Sequence, residues 1–117
     1  MRLMILVLLA ASPLSAVAGD PKCDGPNNWA TNMAFVQLKN AGLIYSETTD
    51  FSKTRTTRVA SEKIGKDLYR QVHHITFVEK SGTPIEVIAV NNASHEECSM
   101  SGVEVYVISS RLGGPDK

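Results

Sequence analysis

Leu68-Tyr69-Arg70-Gln71-Val72-His73-His74-Ile75-Thr76-Phe77-Val78-Glu79 contains no glycine or proline, is rich in β-branched and aromatic residues, and is bounded by Gly65-Lys66-Asp67 on one side and Lys80-Ser81-Gly82-Thr83 on the other. A run of that kind between turn residues is a strand with a hairpin at each end. Side chains alternate across a strand, so Tyr69, His73, Ile75 and Phe77 share one side while Arg70, His74 and Thr76 share the other with Leu68, Val72 and Val78. Both turns are short, and short connections join antiparallel neighbours. Thr54 to Ile64 before it and Ile85 to Asn91 after it therefore complete a meander.

Further strands are expected at Val103 to Ser109 and, nearer the start, Leu43 to Glu47. In Ile85 to Asn91, Ile85, Val87 and Ala89 oppose Glu86, Ile88 and Val90; in the last strand Val103, Val105 and Val107 oppose Glu104, Tyr106 and Ile108. Apolar residues thus stand on both sides of the sheet. Trp29 to Ala41 lacks glycine and proline, follows the turn-rich Asp24-Gly25-Pro26-Asn27-Asn28, and reads as a helix with an asparagine N-cap. Its apolar stripe runs through Trp29, Met33 and Val36 with Ala30, Ala34, Leu38 and Ala41 beside it, and Thr31, Asn32 and Lys39 lie opposite. Gly42 supplies the left-handed residue that ends it, with Leu43 closing against Leu38. The expected fold class is α+β: a single small domain with one N-terminal helix packed on a four- to five-stranded antiparallel sheet. One helix covers one face, so Val72, Val78, Ile88, Val90, Tyr106 and Ile108 stand on a second face, which either is covered by loop residues or the first strand or is left as a partly apolar surface.

Outside that domain, Arg2, the apolar run Leu3 to Ala11 and the small residues ending Ala16-Val17-Ala18 form a secretory signal peptide with an A-x-A cleavage site. The run is broken by Ser12 and Pro13, short of the roughly 20 apolar residues that span a membrane. Residues 1–18 are read as leader and 19–117 as the domain, exported to the periplasm or secreted and not membrane-spanning. Cys23 follows Asp20-Pro21-Lys22, a poor approach for lipid attachment. In an oxidising compartment Cys23 and Cys98 allow one pairing, and the disulfide would close a loop of about 74 residues, worth roughly 4 kcal/mol in the chain-entropy picture.

A stapled helix on an antiparallel meander resembles the cystatin-like architecture in outline. Cystatin inhibitors carry Gln-x-Val-x-Gly at a hairpin, whereas Glu62-Lys63-Ile64-Gly65 lacks the glutamine and is one residue shorter. The resemblance is one of fold alone and does not imply protease inhibition.

Chemistry-bearing residues are few. Lysine plus arginine equal aspartate plus glutamate at 12 each, so loss of Arg2 with the leader leaves one net negative charge. That balance speaks against a nucleic-acid partner, which requires clustered cation excess. With 43% hydrophobic and 21% charged residues, the chain has an ordinary globular composition. His73 and His74 point to opposite sides of their strand, and no Gly-x-Ser-x-Gly elbow or phosphate-cradling glycine loop is present. His95-Glu96-Glu97-Cys98 gathers an imidazole, two carboxylates and a sulfur, but at no established zinc spacing, and a disulfide would consume the sulfur. Asn92-Ala93-Ser94 fits the glycosylation sequon. No catalytic residue, metal or cofactor is assigned.

Positive charge gathers at Lys53, Arg55, Arg58, Lys63, Lys66 and Arg70. Arg55, Arg58, Lys63, Tyr69 and Arg70 are the candidate partner-binding residues, because a charged strand can steer a complementary protein or envelope component. The reading is a non-enzymatic binding protein of inhibitor, immunity or accessory type. A small exported enzyme or metal-binding protein using the loop from His95 to Glu97 is the alternative.

Overall fold

The computed structural model describes residues 19–108. The expected leader, residues 1–18, and the last residue of the expected final strand, Ser109, lie outside the described residues. Four strands, β1 (Arg55–Gly65), β2 (Leu68–Val78), β3 (Pro84–Ala93) and β4 (Glu104–Ile108), form one antiparallel sheet in the order β1-β2-β3-β4, with helix α1 (Trp29–Asn40) packed on one side. Among the described residues no helix is long and apolar enough to cross a membrane.

The turns use the residues their geometry demands. Asp67 takes the left-handed conformation (φ 49°) in the β1–β2 hairpin, and Gly82 (φ 94°) does so between β2 and β3, where Gly82 N–H donates to Glu79 O at 2.7 Å. Helix α1 starts where the Asn28 side chain accepts from Trp29 N–H at 3.1 Å. It ends in a Schellman motif: Gly42 N–H donates to Lys39 O and Leu43 N–H to Leu38 O, at 3.0 and 2.9 Å, with Gly42 at φ 73°.

Parity along β2 places Gln71, His73, Ile75 and Phe77 on the helix side of the sheet, all buried, and leaves Val72, His74, Thr76 and Val78 half-buried on the opposite face. Phe77, Ile75, Val87 and Ala89 pack with Ala34, Leu38, Ile44 and Val103 into the core. Phe35 bridges Phe77 and Phe51 with ring centroids 5.5 and 5.1 Å apart.

Two expectations are corrected here. Leu43 to Glu47 is not a strand: Ile44 is buried in the core, and the segment then tightens into 3-10 turns at Ser46–Thr48 and Phe51–Lys53. The cause is local competition, since the Tyr45 carbonyl accepts from Thr48 N–H, Thr48 Oγ1 and Thr49 Oγ1, leaving only a Thr49–Glu79 bridge to the sheet. The helix is also rotated from the expected stripe. Its buried residues are Ala30, Thr31, Ala34 and Leu38, while Val36 is 41% exposed. Thr31 is tolerated inside because its hydroxyl donates to Gly25 O at 2.9 Å, which leaves Thr56 Oγ1 to donate to Thr31 at 2.7 Å.

Cys23 and Cys98 are bonded, with Cα atoms 5.5 Å apart. The bond ties the segment entering α1 to the β3–β4 connection. Trp29 Nε1 donates to Ser101 O at 3.1 Å and Gln37 Nε2 to Val103 O, so the same connection is fastened along the length of the helix.

Candidate functional site

The face of the sheet away from α1 is ordered in cross-strand rows. By register, Thr57, His74, Ile88 and Tyr106 form one; Ala60, Val72, Val90 and Glu104 a second; Arg55, Thr76, Glu86 and Ile108 a third. The middle of this face is apolar: Val72, Ile88 and Val90 are half-buried by their neighbours, while Tyr106 and Ile108 are 56% and 41% exposed. Polar groups there are held in pairs. His74 Nε2 lies 3.0 Å from Glu86 Oε1, and Tyr106 OH donates to Glu104 Oε2 at 2.8 Å, an arrangement that raises the phenol's pKa through the bond to the carboxylate and its charge. Cations border the apolar middle on the β1–β2 side. Arg70 stands opposite Glu62 and Asn92, and Lys53 and Arg55 rim a shallow cleft floored by Thr76 and Val78.

The five candidate partner-binding residues do not form one surface. Arg55 and Arg70 lie on this open face, whereas Arg58, opposite His73, and Lys63, opposite Tyr69, carry the parity of the helix side. Arg55 and Arg58 are parted by simple alternation; Lys63 is parted from Arg55 by a bulge at Val59, where the β1–β2 register shifts between Arg58 and Ala60. One extra residue exchanges the sides of everything beyond it, so Lys63 no longer shares a side with Arg55. Arg58 has structural work: its Nη1 donates to the carbonyl of buried Pro21 at 2.7 Å. Tyr69 meets the His95 ring edge-on at 5.4 Å.

The loop bearing His95, Glu96, Glu97 and Cys98 is drawn into structural ties. His95 Nδ1 bonds Asp67 Oδ1 while its Nε2 donates to Gly19 O at 2.6 Å. Both partners only accept, which favours the imidazolium; the Gly19 carbonyl and then Asp67 raise the His95 pKa, and the bonds that Asp67 accepts from the His95 ring and from the His95 backbone N–H lower that of Asp67. Glu97 Oε1 accepts from Ser99 Oγ at 2.7 Å, and the sulfur of Cys98 is in the disulfide. Among the described residues no three metal-ligating side chains converge.

His73 is fully buried, and neither ring nitrogen has a partner among the described residues. Burial lowers its pKa, assisted by Arg58 and opposed by Asp24. A histidine held neutral in the fold but free to protonate when unfolded at its ordinary pKa near 6.5 makes acid destabilising. Its contribution is intact above about pH 6.5 and is lost as pH falls below that value toward the folded pKa. His95 acts in the opposite sense, but it is surface-exposed and screened. Urea unfolding at pH 7.5 and pH 5 is expected to show a lower midpoint in acid, and His73→Phe to remove much of that difference; an equal acid loss in the variant would assign the effect elsewhere.

Comparison with known proteins finds no matching family model, curated protein or solved structure.

Proposed function

We propose that this chain is a small exported protein of the inhibitor, immunity or accessory kind, which binds another protein or an envelope component by surface complementarity and makes no covalent chemistry. The observation that carries the reading is the open sheet face, where an apolar middle of Val72, Ile88, Val90, Tyr106 and Ile108 is bordered by Lys53, Arg55 and Arg70. A matching partner presents an apolar ridge flanked by carboxylates. Exposed aromatic and apolar anchors supply affinity, and the bordering cations supply orientation and rate. The disulfide accords with export, as does the leader reading.

Capture from envelope and extracellular extracts tests this. The double reversal Arg55→Glu with Arg70→Glu is expected to weaken capture at least tenfold, and more at low salt than at high salt, while stability changes by about 0.5 kcal/mol per site. Arg58→Glu is expected to behave differently: it removes a donor from the buried Pro21 carbonyl and lowers stability by about 1–3 kcal/mol. A folded His95→Ala variant that loses activity, beside an arginine double variant that behaves like the parent, would replace this reading with the enzyme or metal alternative.

A further inference from the structure

We infer that the outer edge of β4 is a self-association surface, along which two copies of this chain pair antiparallel and continue one sheet into the other. The two edges of the sheet, β1 and β4, are built differently. β1 is 11 residues long and carries Arg55, Arg58, Glu62 and Lys63, and its exposed aliphatic residues, Val59 and Ile64, fall at its two register shifts. Charges and bulges of that kind keep a further strand from pairing. β4, Glu104-Val105-Tyr106-Val107-Ile108, lacks these guards: its register on β3 is unbroken, it contains no glycine, proline or cation, and its single charge stands at one end. Alternation puts Tyr106 and Ile108 on the open face and Val107 on the helix side, yet Val107 is 45% exposed as well. The edge is therefore apolar on both faces of the sheet at once. A ligand lying on the open face would cover Tyr106 and Ile108 and leave Val107 in water, whereas a strand added beside β4 meets all three.

The strand that fits is a second β4, and its charge decides the direction. A parallel pair in register would set Glu104 against Glu104, and like charges directly opposite destabilise a sheet. An antiparallel pair about a two-fold axis at Tyr106 sets Glu104 opposite Ile108, Val105 opposite Val107 and Tyr106 opposite its own counterpart. Every position of the strand is then filled, and the two carboxylates stand roughly 14 Å apart along the strands. The axis is perpendicular to the sheet, so both α1 helices come to the same side. Helix α1 lies over β3 and β4, and strands are spaced about 4.8 Å apart, which separates the two helices by roughly 10–14 Å and clears the 8–10 Å at which helices pack. The contact is closed by its symmetry, giving a dimer and not a fibre. With five residues a side it belongs to the weak interfaces below about 1,200 Å², so the dimer depends on concentration.

Sedimentation velocity of the purified protein from about 1 μM to about 1 mM is expected to show monomer passing to dimer and no larger species. Val107→Lys places a cation on this edge from the helix side, outside the proposed capture surface, and should raise the dimer dissociation constant roughly tenfold or more while capture by the open face persists. The matching change on the other edge, Val59→Lys, should leave dimerisation as it is. In a mixture of isotope-labelled and unlabelled copies, intermolecular NOEs are expected between the two Tyr106 rings and between Val105 and Val107. A monomer throughout the range overturns the proposal, as does a dimer that Val107→Lys leaves intact or one whose intermolecular contacts lie elsewhere. So does protection of the outward β4 amides from hydrogen exchange where the protein is monomeric, which would assign the edge to the chain's own residues after Ile108. The parent's concentration dependence and its NOEs decide the matter even if the variant does not fold.

Discussion

Replacing Cys23 and Cys98 together by alanine lowers the unfolding free energy by roughly 4 kcal/mol, about a thousandfold in the folded-to-unfolded ratio, and the midpoint of thermal unfolding by on the order of 20 °C. The sequence separation of 75 makes the loop closed in the unfolded chain long, and long loops gain most from closure. In the folded state the segment has further fastenings: the Pro21 carbonyl accepts from Arg58 and Gln71, Thr31 Oγ1 donates to Gly25 O, and Trp29 Nε1 reaches Ser101 O. The double variant is therefore expected to fold to the same structure at low temperature while being far less stable. Urea titration of the parent and the double variant measures the difference. A loss below about 1 kcal/mol would mean that the unfolded chain is already restrained at this end, and thiol titration of the denatured parent should find no free thiol.

Phe77→Ala should cost about 3–5 kcal/mol, in the range for truncating a buried aromatic whose cavity cannot collapse. Phe77 is 1% exposed near the C-terminal end of β2, packs in one cluster with Ile75, Val87, Leu38 and Ile44, and meets the Phe35 ring edge-on. Collapse around it is limited because its flanks are a hydrogen-bonded sheet and a capped helix. Phe51 provides the comparison: its ring also meets Phe35, but it is 53% exposed, so Phe51→Ala should cost no more than about 1.5 kcal/mol. Chemical denaturation of the two variants separates them, and equal losses would show that the aromatic cluster, not the β2 core position, is what stabilises this end. Combining Phe77→Ala with removal of the disulfide should take away roughly 7–9 kcal/mol, a large part of the about 5–15 kcal/mol that such domains have in total.

Much of the architecture is legible along the chain because its signals act over a few residues. Asn28 and Gly42 mark the helix ends through hydrogen bonds that are closed locally. Alternation in Tyr69, His73, Ile75 and Phe77 assigns the covered side of β2, because a strand has a period of two whatever packs on it. Two cysteines permit one bond. What failed was also local in origin: Leu43 to Glu47 has the composition of a strand, but Ser46, Thr48 and Thr49 spend their hydrogen bonds on turns beside the chain.

The candidate surface was less legible, and for a different reason. Arg55, Arg58, Lys63, Tyr69 and Arg70 are near neighbours in sequence, but which of them share a side depends on pairing register, and the bulge at Val59 appears only when β1 is laid against β2. Pro21 likewise carries no sequence signal for the two donors that its carbonyl receives from β1 and β2. The amino-acid sequence by itself determined the helix with its ends, the meander, the covered side of β2 and the single disulfide pairing, because caps, alternation and a count of two cysteines need no distant partner. Only the tertiary structure decided that the Arg58 side chain reaches the Pro21 carbonyl, that Thr31 is buried while Val36 is exposed, and that Gln71, His73 and Asn91 are all buried. Those outcomes follow from strand register and from the rotation of the helix over the sheet, which are fixed by long-range packing.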